Sequence, residues 1–333
     1  MIHNHENILV MLPTEESERE AFRQAAPAAS FTFCQPEEAT REQILQADIL
    51  FGSPRIDIIR ENKKLRWMQS NAAGPDAYLV PGVLPEGCIL TNASGSYGLA
   101  ISEHMLGMLL MLIKRLHTYR DSQHRHEWKS QGSVTSIYGA TVLVLGMGDI
   151  GSEFAKRCKA LGAHVIGVRR QDTHKPAYVD ELHLMGDLDE LLPRADVVAI
   201  TLPGTKETAG LFDDARFARM KPGSVILNVG RGTIIDTDAL CRALLSGHLS
   251  GAGLDVTDPE PLPDDSPLWD IPSALITPHI SGFFHLRETL TRILKLSVQN
   301  LTRWENDEPL LNQMDRQTGY RRAESRNIQK DTL

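Results

Sequence analysis

The chain has 333 residues, 41% of them hydrophobic, which suits roughly two domains that each bury a core. Its 35 Lys and Arg against 43 Asp and Glu leave a formal charge of −8 with no long basic stripe, which argues against a nucleic-acid or anionic-membrane partner. Cys34, Cys88, Cys158 and Cys241 are far apart and form no C-x-x-C pair, so reduced thiols in a cytoplasmic protein are expected, with neither a disulfide nor a zinc site. MIHNHENILVML lacks a basic n-region and its apolar run is too short for a signal segment. The uncharged stretch Met105 to Ile113 is about half of the ~20 residues of a membrane span, so no membrane segment is expected.

Residues 1 to 98 alternate strand and helix signals: ENILVML, FTFC and DILFGS as strands, EESEREAFRQAA and EEATREQILQA as helices. This predicts a small parallel α/β unit. LRWMQSNAAGPD and CILTNASG then each run from an apolar strand into a turn rich in Gly, Asn and Ser, the place where open α/β sheets bind ligands. Tyr97 to Arg120 predicts one long helix, with Ile101, Met105, Leu109, Leu112 and Leu116 on one side and further apolar residues nearly all round. Such a helix must be buried, and it is read as the link into a second domain and part of a subunit interface. The following RDSQHRHEWKSQGSVTS is polar and predicts an arm or loop. His124, His126 and the nearby His117 make no convincing ligand set, and no metal is expected.

The stretch 141 to 170, TVLVLGMGDIGSEFAKRCKALGAHVIGVRR, is an apolar β-branched run, a G-x-G-x-x-G turn, a helical segment and a second apolar run. That is the order of a strand, turn, helix and strand built to hold a dinucleotide. Gly146 allows the tight turn, Gly148 lets backbone approach the pyrophosphate, and Gly151 lets helix pack on sheet. Amides at the helix start, around Asp149 and Ile150, then face the phosphates. Beyond it, DVVAITL, SVILNV, AGLDV and ALIT read as strands separated by helical stretches such as DDARFARM and TDALCRALLSG, which predicts a doubly wound parallel sheet. Residues 287 to 305 predict another helix, and the polar tail is expected to fold back or be partly disordered.

Three strand ends in the second half carry groups able to act on a substrate. SVILNV leads to Arg231, AGLDV to Glu260, and ALIT to His279, and in a parallel sheet these loops open on the edge where Gly146 starts its turn. Reduction of a 2-keto acid by hydride transfer needs a cation for the carboxylate and ketone and an acid for the forming alkoxide. Arg231 supplies a planar, permanently charged fork. His279 supplies a proton near neutrality, and a carboxylate such as Glu260 beside it would orient the ring and keep that proton available. Each residue alone has a plainer role: a loop brace for Arg231, a turn residue for His279, a solvated acid for Glu260. Their placement on three successive strand ends favours catalysis.

The segments VLGMGDIG, LPGTKETAGLF, MKPGSVILNVGRGTIIDTDAL, GAGLDVTDPEPLPDDSPLW and TPHISG, in this order, resemble the D-isomer-specific 2-hydroxyacid dehydrogenase family of glyoxylate/hydroxypyruvate reductase type. The resemblance runs from about Leu65 to Tyr320 and is dense between 141 and 282. It implies catalytic roles for Arg231, Glu260 and His279. It also implies a substrate-carboxylate loop at Asn71 to Asp76 with Ala73 and Gly74 as backbone donors, a nicotinamide-amide partner at Asp255, and an adenine-side loop at Leu202, Pro203 and Thr208. Val229 and Gly282 complete the implied cofactor contacts. The implied fold is α/β, a Rossmann-type doubly wound parallel sheet over 99–286 inserted into a smaller flavodoxin-like substrate domain made of 1–98 and 287–333. A homodimer through the nucleotide-binding domain is implied as well.

At the end of the second strand, where NAD-dependent members carry an acid for the ribose 2′-OH, Val168 is followed by Arg169 and Arg170. A guanidinium pairs with a 2′-phosphate, so NADP is the expected cofactor, with NAD possible if Asp172 reaches the ribose instead. Pro75 after Gly74 removes one backbone donor from the substrate loop and stiffens it. With no second basic cluster near that loop, a small unphosphorylated 2-keto or 2-hydroxy acid is expected as substrate. Two alternatives share the fold: an NAD(P)-sensing binding protein of the co-repressor kind, and an enzyme for an inorganic or one-carbon acid.

Overall fold

The structure, a computed structural model, describes residues 5–171 and 175–322. Asp172 and the last residues of the polar tail, 323–333, therefore lie outside the described residues. The chain divides into two compact units, Met1–Tyr97 with Phe284–Leu333, and Gly98–Phe283. No helix among the described residues is long and apolar enough to cross a membrane.

In the first unit β1 (Asn7–Met11), α1 (Glu16–Ala25), β2 (Ser30–Cys34), α2 (Arg41–Gln46), β3 (Ile49–Phe51), α3 (Ile56–Ile59), β4 (Trp67–Gln69), α4 (Asp76–Leu79) and β5 (Ile89–Thr91) follow one another. The strands form a parallel sheet in the order β2-β1-β3-β4-β5. This is the flavodoxin-like order, with its reversal between β1 and β3. Central strands covered on both faces read as unbroken apolar runs, and Ile8 to Met11 and Ile49 to Phe51 are all buried. Thr40 starts α2 with a capping box: its Oγ1 accepts the Gln43 N–H at 3.2 Å, and Gln43 Oε1 accepts the Thr40 N–H at 2.8 Å.

The second unit begins with a departure from expectation. The helix expected over Tyr97 to Arg120 is two, α5 (Gly98–Ile113) and α6 (Leu116–His124), broken at Arg115 with a left-handed φ of 56°. A residue in that conformation cannot continue a right-handed helix. Lys114 Nζ donates to the Thr135 carbonyl and Arg115 Nη1 to the Gln131 carbonyl, both at 2.6 Å, tying the polar arm back across the break. The apolar faces of α5 are used inside the unit. A Cβ on Gly253 would lie 3.2 Å from Met108 Cβ, and one on Gly251 3.1 Å from Leu112 Cδ2, so two glycines of one strand make room for the helix.

The sheet of this unit is built from β6 (Thr141–Leu145), β7 (His164–Arg169), β8 (Glu181–Leu184), β9 (Val197–Ile200), β10 (Val225–Asn228), β11 (Gly251–Leu254) and β12 (Ala274–Ile276). Helices α7 (Asp149–Ala160), α8 (Leu188–Leu191), α9 (Asp214–Arg219) and α10 (Thr237–Leu245) connect them. All strands are parallel, in the order β12-β11-β10-β9-β6-β7-β8, which is the Rossmann arrangement with one further strand. Leu143, Ile166, Val198, Ile226, Phe212 and Leu240 are among the residues of its core. The edge strand β8 gives no apolar signal because ELHL is half exposed, and polar pairing holds it instead. Glu181 takes Arg194 at 2.5 Å, His164 at 2.8 Å and His183 at 3.1 Å.

α11 (Arg287–Glu305) returns the chain to the first unit. Trp304 stacks on the buried Trp67 with ring centroids 5.5 Å apart, the Arg66 guanidinium lies 5.0 Å over Trp304, and Asn300 Nδ2 donates to Gln69 Oε1 at 2.9 Å. Burial of aromatic surface and satisfaction of a buried amide thus join the two ends of the chain in one sheet-and-helix layer.

Candidate active site

The turn after β6 separates what the protein needs from what a ligand needs. Gly146 has φ 96°, and a Cβ there would meet the Thr201 carbonyl oxygen at 3.0 Å. A Cβ on Gly151 would stand 2.0 Å from the Gly146 carbonyl oxygen, so α7 can approach β6 only through a glycine. Gly148 is different: it is exposed, has no positive φ, and its Cβ would meet nothing within 4 Å. No neighbour in the fold demands a glycine there, which fits a cradle kept open for a bound group. Thr201 Oγ1 braces the turn by donating to the Gly146 carbonyl at 2.6 Å. Asp149 is the first residue of α7, and its carboxylate accepts the Gly98 N–H at 2.8 Å, placing it at the start of α5 as well. Ile150 follows in the first turn, where helix amides favour an anion.

Across the sheet, Arg169 ends β7 half-buried and Arg170 is exposed. The Glu207 carboxyl is held below its usual range first by a hydrogen bond with Thr205, with the charges of Arg170 and Lys206 contributing. In the loop that follows β9, Thr208 is buried; its hydroxyl donates to the Pro203 carbonyl at 2.8 Å and accepts the Thr205 N–H at 2.9 Å. Leu202 and Pro203 lie half-buried ahead of it.

Arg231 follows β10 and is held by glycines on either side. A Cβ on Gly230 would lie 2.5 Å from the Leu202 carbonyl oxygen and one on Gly232 1.8 Å from that of Thr257, so the loop is wedged between the ends of β9 and β11. Gly204 faces Arg231 Cγ, which a Cβ would approach to 2.9 Å. The fully buried Asn228 accepts the Gly230 N–H at 3.0 Å and donates to the Arg231 carbonyl at 2.9 Å. The buried Val229 donates its N–H to Ile200 at 3.1 Å.

The ends of β11 and β12 are joined directly. His279 Nδ1 lies 2.9 Å from Glu260 Oε2, and Glu260 Oε1 accepts the Thr257 N–H at 3.1 Å. One carboxylate oxygen is therefore anchored to the backbone while the other orients the ring. With Nδ1 donating to a carboxylate, Nε2 is the ring nitrogen left to exchange a proton. The His279 side chain is 49% exposed and that of Glu260 38%, so both are open to solvent. His279 has φ 52°, a conformation costing about 1–3 kcal/mol for a non-glycine residue. Its N–H is held by the carbonyls of Asp255 at 2.8 Å and Thr277 at 2.9 Å. The Asp255 carboxylate, 1% exposed, accepts from Thr277 Oγ1 at 2.6 Å, Ile280 N at 3.0 Å, Ser281 N at 3.1 Å and Ser281 Oγ at 2.5 Å. Gly282 follows that turn, half-buried.

In the other unit the loop after β4 is tied down through its carbonyls. Tyr97 Oη donates to Asn71 at 2.5 Å, the Ala93 N–H to Ala72 at 3.0 Å, and Asn92 Nδ2 to Ala73 at 2.6 Å. Because a trans peptide sets N–H opposite C=O, these bonds turn the amides of Ala73 and Gly74 away from their supports. Burial pushes the Tyr97 phenol well above its usual range, so it stays a donor. Among the described residues no group of three or more His, Cys, Asp or Glu is placed to hold a metal ion.

Sequence reasoning passed over Thr201, Gly204, Asn228, Asn92 and Tyr97. The asparagines at strand ends in ILTNASG and VILNVG carried a visible cue, since Asn before a turn commonly bonds nearby backbone. The hydroxyl braces carried none.

The family model for the D-isomer specific 2-hydroxyacid dehydrogenase NAD-binding domain matches residues 106–281. The chain is 33% identical over 272 residues to a glyoxylate/hydroxypyruvate reductase B of Pectobacterium carotovorum, covering 80% of this chain and 83% of that one. It is 36% identical over 241 residues to a D-3-phosphoglycerate dehydrogenase of Mycobacterium bovis, covering 72% of this chain but only 43% of that protein's length. The fold is similar to the crystal structure of an NADPH-dependent glyoxylate/hydroxypyruvate reductase from Sinorhizobium meliloti in complex with NADP and sulfate, with TM-score 0.79, 27% identity, and coverage of 95% of this chain and 100% of that one. The chain thus belongs to the D-isomer specific 2-hydroxyacid dehydrogenase family, as an NAD(P)-dependent oxidoreductase acting on a CH–OH group.

Proposed function

We propose that this protein is an NADP-preferring reductase of a small unphosphorylated 2-keto acid, of the glyoxylate or hydroxypyruvate kind, forming the D-hydroxy acid. The observation that carries the reading is the Glu260–His279 pair at 2.9 Å on the strand end next to the one that leads to Arg231. The bound nicotinamide supplies the hydride. Arg231 holds the substrate carboxylate and polarises the ketone, with its backbone fixed by Asn228. His279 delivers a proton from Nε2 to the carbonyl oxygen as it becomes an alkoxide, while Glu260 keeps the ring in register and offsets its positive charge. In the substrate domain, Ala73 and Gly74 are the residues we assign to substrate binding.

The cofactor would be held by Gly146, Gly148, Gly151 and the α7 amides at Asp149 and Ile150, by Leu202, Pro203, Thr208 and Val229 along the middle strand ends, and by Asp255 and Gly282 toward the nicotinamide. The residues present fit a dinucleotide, because Gly148 leaves open the space a Cβ would fill. Arg169 and Arg170 at the end of β7 support a 2′-phosphate, as does the NADP complex of the Sinorhizobium relative. The unit 98–283 is then the nucleotide-binding domain and the other the substrate domain. We include in the reading a cytoplasmic location, on the four free thiols. It also includes a homodimer formed through the nucleotide-binding domain, supported by the exposure of Leu116 at 51% in the helical stretch that opens that unit.

The test is a panel of 2-keto acids assayed by NADPH oxidation, with His279→Ala and Arg231→Ala as controls. Turnover of a small acid that falls at least ~10²-fold in kcat for the histidine variant is expected. Tight NADPH binding without turnover of any acid would replace the reductase by a cofactor sensor.

A further inference from the structure

His104 is a polar interruption in α5, flanked along the helix by the buried Ile101, Met105 and Met108. Its side chain is 23% exposed, and Nε2 lies 3.0 Å from Thr277 Oγ1 and 3.9 Å from Asp255 Oδ1. The direction of the hydrogen bonds follows from counting protons. A threonine hydroxyl has one, and here it goes to Asp255 Oδ1 at 2.6 Å. Thr277 Oγ1 is therefore an acceptor toward His104, and His104 Nε2 carries the hydrogen. The same Asp255 carboxylate receives the N–H groups of Ile280 and Ser281 and the hydroxyl of Ser281, the residues that follow His279. His279 itself sits between these anchors at φ 52°, a conformation that persists only if its surroundings enforce it.

We propose that His104 is a positioning residue for the acid–base histidine. By donating to Thr277 it commits the threonine hydroxyl to Asp255, and so holds the carboxylate that ties down the turn bearing His279. The proposal rests on the reading of His279 as the proton donor. It assigns Asp255 a structural duty toward the turn in addition to any contact with the cofactor. The donor atom matters more than the ring: a side chain that places an N–H where Nε2 stands will serve, and an apolar one of similar size will not.

The experiment compares His104→Leu, His104→Gln and Thr277→Val with the parent enzyme at saturating NADPH, using the best 2-keto acid of the panel. Amide exchange at Ile280 and Ser281 is measured on the same proteins. His104→Leu should lower kcat about tenfold, the scale of one lost hydrogen bond, with KM for the acid within about twofold. His104→Gln, whose amide nitrogen reaches the position of Nε2, should recover most of that loss. Combining His104→Leu with Thr277→Val should cost no more than the worse single change, because both break one chain of bonds. Exchange at Ile280 and Ser281 should quicken in the Leu variant and not in the Gln variant. Equal kcat for Leu and Gln, strictly additive effects, or unaltered exchange in the Leu variant would each overturn the proposal. His279→Ala separates the two readings. If that variant keeps its turnover, the acid–base assignment fails and takes the kinetic role of His104 with it. Quickened exchange in the Leu variant would then still support the tie to the turn, and unaltered exchange would overturn it.

Discussion

The turn after β6 and the turn after β12 lie on the same edge of one sheet but are specified in opposite ways. The first is made by leaving side chains out: Gly146, Gly148 and Gly151 within six consecutive residues, with one outside brace from Thr201. The second is made by bringing side chains in, with Glu260, Asp255 and His104 reaching His279 and its neighbours across 19, 24 and 175 residues of sequence. A cradle for a phosphate needs only room and backbone amides. An acid–base group needs a chosen ring nitrogen, a carboxylate and a fixed direction, and no short stretch of chain supplies all three.

The strongest test of the contrast is on the side-chain-built turn. His279→Ala should lower kcat for reduction by ~10²–10⁴-fold, with the melting temperature little changed, because the side chain is exposed. Retained turnover would show that the turn is a support for the cofactor alone. The glycine turn should break by folding instead. Gly151→Ala drives a Cβ into the Gly146 carbonyl and should cost about 1–3 kcal/mol, read as a lower melting temperature together with weaker cofactor binding. Gly148→Ala should leave the melting temperature unchanged and raise the cofactor Kd, since its Cβ meets only open space. If the two alanine variants behave alike, the division between glycines for the fold and a glycine for the ligand is wrong.

A smaller effect is expected at the far end of the edge. Arg169→Ala should lower kcat/KM with NADPH by about tenfold or more, the scale of a charge-assisted hydrogen bond, and leave NADH nearly unchanged. A parent enzyme that prefers NADH would overturn the cofactor assignment outright. The smallest effect belongs to β8, remote in sequence from both turns. Hydrogen bonds from Arg194, then His164 and His183, hold the Glu181 carboxyl at about 2 against an ordinary 4.5. A lowered folded-state pKa gives stability that is fully present above about 4.5 and fades as pH falls toward about 2. Glu181→Gln should therefore destabilise the protein slightly at neutral pH and lose that effect in acid. A penalty that stays constant across this window would rule out the ionised pair as its source.

The parallel α/β architecture was legible because alternating strand and helix signals recur through both sheets, and central strands such as TVLVL announce themselves by continuous burial. Elements whose definition is not apolar were not legible. The strand Glu181–Leu184 is secured by ion pairs at an edge, and the break at Arg115 is a single backbone conformation in a run of good helix formers. The candidate site shows the same division. Arg231, Glu260 and His279 could be named because each follows a recognisable strand, but the bracing by Asn228, Thr201, Thr277 and His104 depends on which strands became neighbours.

By itself, then, the amino-acid order determined the features that depend on local spacing: the α/β class, the glycine turn and the arginines at its second strand. Spacing acts through backbone geometry and burial over a few residues, so it survives without knowledge of the rest of the chain. Only the tertiary structure decided that β11 and β12 lie side by side and that α5 lays its one histidine against their ends. A hydrogen bond fades within a fraction of an ångström, so the turn that holds His279 exists only once distant segments have been brought into register.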